Sequence, residues 1–181
     1  SDLLAGLAIA VHPSIPANNL QELIAHIRAN PGKLFYASSG VGTAVHLAGE
    51  LFKQLINAPE LGHVPYRGAA QSTTDLLAGQ VSMSFVNITG QLLEFHRTGK
   101  LRVLATTNPK RMESAPEIPT AVEAGLPGMV AQNFTGIFAP AGTPRDIVNR
   151  IAQATEQALA DPDFRRLVLA AGLRSEEHTS E

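Results

Sequence analysis

Residues 36 to 52 read YASSGVGTAVHLAGELF, with Ser38 and Ser39 leading into Gly40-Val41-Gly42-Thr43. Glycines at this spacing let the backbone bend until several N–H groups converge, and a helix starting after Thr43 adds the positive end of its dipole. That is the chemistry of an anion cradle. A phosphate loop is poorly matched, because GxxxxGK[ST] needs a lysine that this turn lacks. A dinucleotide turn needs GxGxxG, and Val45 stands where the third glycine belongs. Glu60 falls at the distance of a ribose contact but sits in a Pro59-Glu60-Leu61-Gly62 turn rather than at a strand end. A carboxylate suits the hydroxyls and amides better; the plainer alternative is an ordinary strand-to-helix turn capped by Thr43.

A second turn, Pro65-Tyr66-Arg67-Gly68, also joins a short strand to a helix start, and brings a phenol and a guanidinium. The planar fork of arginine pairs well with a carboxylate. A third strand end, Phe85-Val86-Asn87, offers a carboxamide. In open α/β sheets ligands sit outside the carboxyl ends of the strands, where these turns would gather. Catalytic readings are weaker. Ser38 or Ser39 with His46 and Asp75 could be imagined as a triad, but there is no GxSxG elbow to position it. His46 and Glu50 are four apart and could share a metal, yet without HExxH they read as a solvated helix pair. We therefore expect no catalytic residue, no metal and no cofactor.

The elements that would position these turns alternate. Leu7 to Val11 reads as a strand, and Asn19 to Glu22 as a capping box opening a helix with Leu20, Leu23, Ile24 and Ile27 on one face. Lys33 to Ala37 is a strand, followed by a Thr43-capped helix with Leu47, Ala48, Leu51, Phe52 and Leu55 inward. His63-Val64, Val81 to Val86 and Leu101 to Thr106 read as strands, with helices ending near Gly79 and spanning Leu92 to His96. Between Asn108 and Gly128 four prolines and two glycines break the pattern, which predicts a surface crossover or hinge-adjacent loop rather than a second core, with one helical turn at Thr120 to Ala124. Phe134 to Ala139 returns to strand. Pro144 opens a helix carrying Ile147, Val148, Ile151 and Leu159, and Phe164 to Ala171 starts another. Strand and helix in turn mean an α/β sheet with helices on its faces.

At 181 residues the chain suffices for one core, or one domain and part of a second. A net charge of −2 without Lys/Arg runs gives no electrostatic footprint for nucleic acid. The absence of cysteine removes disulfides, thiolate catalysis and cysteine zinc sites. SDLLAGLAIAVHPSIP lacks a basic n-region and reads as a strand entered part-way through a longer protein. RSEEHTSE, residues 174 to 181, resembles a sequencing adapter translated in frame and shows no helix or strand pattern.

The segments GKLFYASSGVGTAVHLAGELF, HVPYRGAAQSTTDLLAGQV, GKLRVLATTNPKR, IPTAVEAGLPG and FAPAGTP, in this order, resemble the periplasmic solute-binding proteins of tripartite tricarboxylate transporters, the Bug proteins. The resemblance runs from Val11 to Gly172. It implies a type II periplasmic-binding fold that closes two lobes on a small carboxylate and hands it to membrane transporter subunits, without catalysis. It implies a periplasmic location and a monomeric full-length protein. By motif, the ligand-binding residues would be Ser38, Ser39, Gly40, Gly42, Thr43, Tyr66, Arg67, Gly68 and Asn87. Many family members carry Asp where this chain has Val86, so a contact to an amino group is not carried over.

On this reading residues 1–10 are an incoming inter-lobe strand, 11–107 the second lobe, 108–133 a crossover, 134–173 a returning part of the first lobe, and 174–181 a non-native tail. The signal peptide and most of the first lobe would be absent. Apolar surface is then expected at Leu3 to Ile9 and Phe134 to Phe138, with self-association. The competing reading is the effector-sensing domain of a transcriptional regulator, which can share the fold.

Overall fold

The computed structural model of the chain describes residues 2–135, 137–170 and 174–176. In chain order its elements are β1 (Asp2–Val11), α1 (Leu20–Ala29), β2 (Phe35–Ser38), α2 (Ala44–Leu55), β3 (Gly62–Pro65), α3 (Ala69–Leu77) and β4 (Met83–Asn87). They continue with α4 (Gly90–Arg97), β5 (Arg102–Thr106), β6 (Gln132–Thr135), α5 (Arg145–Ala160), α6 (Pro162–Ala170) and β7 (Arg174–Glu176). The main sheet runs β3-β2-β4-β1-β5. β3, β2 and β4 are parallel, and β1 is antiparallel to both β4 and β5. The alternating α/β reading therefore holds.

β1 is long because it serves two sheets. Its second half, Leu7 to Val11, lies between β4 and β5, while Leu3 to Gly6 pair with β6 and Asp2 to Leu4 with β7. Its side chains alternate as the pleat demands. Leu7, Ile9 and Val11 enter a core with Tyr36, Phe52, Met83 and Phe85, beneath α1 and α2. Ala8 and Ala10 enter the opposite core with Leu76, Val86, Leu92 and Val103, beneath α3 and α4. Leu7 and Ile9 are wholly buried, which corrects the expectation of exposed apolar surface along this stretch. They are covered by helices of the same sheet. The side chains of Leu3, Leu4 and Phe134 lie outside those described. Exposed apolar surface is found at Ile137 and Phe138, within the second expected stretch, and also on α5 and α6 at Ile147, Val148, Ile151, Phe164 and Leu167.

The α1 box forms as its residue types dictate. Asn19 Oδ1 accepts from Glu22 N at 2.9 Å, and Glu22 reaches one residue further back, to Asn18 N, at 2.7 Å. In α2 the buried stripe is Val45, Ala48, Gly49 and Phe52, whereas Leu47 is 60% exposed. The expected stripe was rotated because Gly49, lacking a side chain, hides the true one. Gly49 is small for a reason: a Cβ there would meet Tyr36 Cε2 at 2.2 Å. Gly49→Ala should lower stability by about 1–3 kcal/mol through overpacking, read as a fall in the urea midpoint at unchanged slope. An unchanged midpoint would mean that the Tyr36 ring is not held.

The 108–133 stretch is not the surface crossover that its prolines suggest. Met112, Ala115, Ile118, Ala121, Leu126 and Met129 are buried. Its backbone closes the open edge of β5: Thr106 N donates to Pro119 O at 2.9 Å and Ala121 N to Thr106 O at 2.7 Å. An unpaired strand edge is costly, and apolar residues follow where it is covered. The helical turn at Thr120 to Ala124 is present, with Ala124 N donating to Thr120 O at 2.9 Å. The strand expected over Phe134 to Ala139 is displaced: β6 covers Gln132–Thr135, Gly136 lies outside the described residues, and residues 137–139 are not strand. At the C-terminal end Arg174–Glu176 does form a strand, so the patternless reading of the tail fails there; residues 171–173 and 177–181 lie outside the described set.

Candidate functional site

β2, β3, β4 and β5 all deliver their carboxyl ends to one edge of the sheet. After β2 the chain leaves through α2 towards β3, on one side; after β4 it leaves through α4 towards β5, on the other. β2 and β4 are neighbours, so their exits diverge at a topological switch point, the place where open α/β sheets bind ligands. The Ser38–Thr43 turn stands on one side of it and Asn87 on the other.

The first turn is well ordered by its own bonds. Gly40 and Gly42 have φ of 135° and 81°, which only glycine adopts without strain. Thr43 caps α2, its Oγ1 accepting from His46 N at 3.3 Å while donating to Gly40 O at 2.7 Å. Several amides expected to face a ligand are engaged within the turn: Gly40 N with Ser38 Oγ at 3.2 Å, Gly42 N with His46 Nδ1 at 3.1 Å, and Thr43 N with Gly40 O at 3.4 Å. Ser38 is fully buried and its hydroxyl lies 2.7 Å from His63 Nε2. Ser38 thus anchors the turn from below, while Ser39, half-buried, lies nearer the rim with its Oγ 3.4 Å from Thr43 Oγ1.

The second turn hangs from the first, because Tyr66 N donates to Ser38 O at 2.9 Å. Gly68, φ 129°, precedes α3 without any side-chain cap, which leaves the first amides of that helix facing outward. Arg67 is exposed, and among the described residues it forms no hydrogen bond or ion pair. Burial raises the Tyr66 phenol above its ordinary value, and its bond with the Asp75 carboxylate adds to the shift. At the third strand end Asn87 is exposed and its Oδ1 accepts from Asn133 Nδ2 at 2.7 Å, leaving the Asn87 amide group to donate.

The structure therefore brings eight of the nine expected residues to one rim and withdraws Ser38 beneath it. It does not assemble the imagined triad: Ser38 faces His63 rather than His46, Asp75 bonds Tyr66, and a fully buried hydroxyl cannot reach a substrate. Nor are His46 and Glu50 a solvated pair. Glu50 accepts from the Tyr36 hydroxyl at 2.7 Å and from Lys53 at 3.2 Å. Burial works to raise its carboxyl, but these partners outweigh it and the net shift is downward. Residues not anticipated from sequence are Asn133 and His63, while His46 was considered only for a triad or a metal. Asn133 could have been found as a polar residue on a strand expected beside the site; His63 carried no signal, being 25 residues from Ser38.

A model of the tripartite tricarboxylate transporter family receptor matches residues 4–180. The chain belongs to this family. A UPF0065 protein encoded between tcbD and tcbE in a Pseudomonas species is 37% identical over 182 residues, covering 96% of this chain and 54% of that protein. Among solved structures, the periplasmic binding protein BugD superposes with a TM-score of 0.85 at 29% identity, covering 96% of this chain and 57% of BugD. An R. palustris protein solved with adipate gives 0.86 at 32% identity, covering 94% and 56%. This receptor-family chain thus has the type II periplasmic-binding fold expected of it, and it spans about half the length of the relatives it matches. The reading as a regulator's sensing domain finds no support in these comparisons.

Proposed function

We propose that this receptor-family chain carries one jaw of an extracytoplasmic solute-binding protein that captures a small dicarboxylate and delivers it to the membrane subunits of a tripartite transporter, with no chemical step. The observation that carries the reading is Arg67. It is an exposed guanidinium without a partner among the described residues, between the uncapped start of α3 and the glycine turn at the switch point of the sheet. A second carboxylate would be held by the opposing lobe, as the adipate in the R. palustris relative suggests. On this reading Gly40, Gly42, Thr43, Ser39, Tyr66, Gly68 and Asn87 shape the same rim, and Ser38 supports it. The protein works in the periplasm as a monomer.

The two-lobed plan also accounts for β1. Its first half leaves the main sheet to pair with β6, so residues 2–6 and 134–173 would belong with the other lobe, and the exposed apolar face of α5 would rest against it. Calorimetry on the full-length protein with C4 to C6 dicarboxylates, the matching monocarboxylates and amino acids tests the proposal. One-site micromolar binding of a dicarboxylate, recovered chemically unchanged, is expected. Failure of every carboxylate in the set to bind would sink it.

A further inference from the structure

Two imidazoles are stacked behind the glycine turn. His46, on α2, and His63, on β3, have ring centroids 4.4 Å apart and planes inclined by 25°. Tyr36, on β2, continues the stack on His63 at 4.7 Å. Each histidine bonds one end of the turn: Ser38 Oγ lies 2.7 Å from His63 Nε2, and Gly42 N donates to His46 Nδ1 at 3.1 Å. An acceptor at Nδ1 needs a free lone pair there, so this bond exists only while that nitrogen is unprotonated. Two imidazolium rings at this separation would also repel one another.

The titratable groups facing the pair are Glu50 and Lys53 from α2 and the neutral Tyr36 phenol from β2. Glu50 favours the charged form of His63, but Tyr36 and Lys53 already engage it, and burial and His46 outweigh it. Burial, then the neighbouring His46, hold the His63 ring below its ordinary value of 6.5. Because Tyr66 N hangs from Ser38 O, a change at Ser38 is passed to the Arg67 turn as well.

We propose that His46 and His63 are the positioning residues of the Ser38–Thr43 turn, a stacked latch that bonds it on both sides and opens at Gly42 when His46 Nδ1 is protonated. The inference deepens the carboxylate reading and rests on it for its functional consequence. The latch itself is testable without any ligand.

In the full-length protein the Gly42 amide resonance should move on acidification, as the bond from Gly42 N to His46 Nδ1 is lost. His46→Asn places a carbonyl oxygen where Nδ1 stands, an acceptor that does not titrate, and should suppress that movement. His46→Leu removes the acceptor at every pH. Adipate binding at pH 8 should be about fivefold weaker in His46→Leu than in His46→Asn, the worth of one hydrogen bond. Acidification should weaken the wild type more than His46→Asn, the latter correcting for protonation of adipate itself. A Gly42 resonance indifferent to pH in the wild type, or equal affinities for His46→Asn and His46→Leu, overturns the proposal. If Gly42 titrates as described but no carboxylate binds at any pH, the latch stands and the function proposed above fails.

Discussion

Arg67→Ala in the full-length protein should weaken dicarboxylate binding by about 10- to 150-fold. A hydrogen bond to a charged group contributes about 1.5–3 kcal/mol net, and every 1.4 kcal/mol is tenfold in affinity. The loss should appear without a fall in thermal stability, because Arg67 is exposed and holds nothing else in place among the described residues. Arg67→Lys should recover only part of the affinity, since an ammonium keeps the charge but not the two-pronged geometry. Arg111→Ala is the control for net charge: that guanidinium is paired with Glu123 at 2.9 Å, on the segment that covers β5 rather than at the rim. Calorimetry that finds Arg67→Ala within twofold of the wild type would remove the guanidinium from the site, and the function would lose its main support.

What could be seen in the sequence, and what could not, follows from the range of the interactions. The α1 capping box, the Thr43 cap and the strand-to-helix turns are local, set by residues three or four apart, and all of them form. The α2 stripe was misplaced because a glycine occupies a core position, and a missing side chain leaves no hydrophobic mark. The role of 108–133 was misjudged because prolines advertise loops but say nothing of an open strand edge that needs cover. The candidate rim was legible as three turns, since each ends a strand of its own. The histidine latch was not: it depends on β2 and β3 being parallel neighbours, with Tyr36 set beside His63 in register. Pairing over that distance is a property of the sheet. No local pattern encodes it.

The same distinction between a rim and a whole site governs the other large effect. Residues 1–173 alone should bind a dicarboxylate no better than about millimolar, roughly a thousandfold short of the micromolar binding proposed for the full-length protein. An anion at an exposed helix N-terminus gains about 0.3–1 kcal/mol, rising to about 2 where partly buried. Arg67 adds about 1.5–3 kcal/mol. Together these reach about 5 kcal/mol at best, before the cost of immobilising the ligand is counted, whereas micromolar affinity requires about 8. The remainder has to come from a second surface that excludes water and holds the other carboxylate, and relatives about twice this length have chain enough to supply one. Amide-shift titration of the 1–173 chain with adipate measures the constant directly, and the dispersion of the same spectrum shows whether the chain is folded. Weak shifts confined to Ser39–Thr43, Tyr66–Ala69 and Asn87 are expected. A micromolar constant from this chain alone would mean that one jaw is a complete site, and the two-lobed account would have to be abandoned.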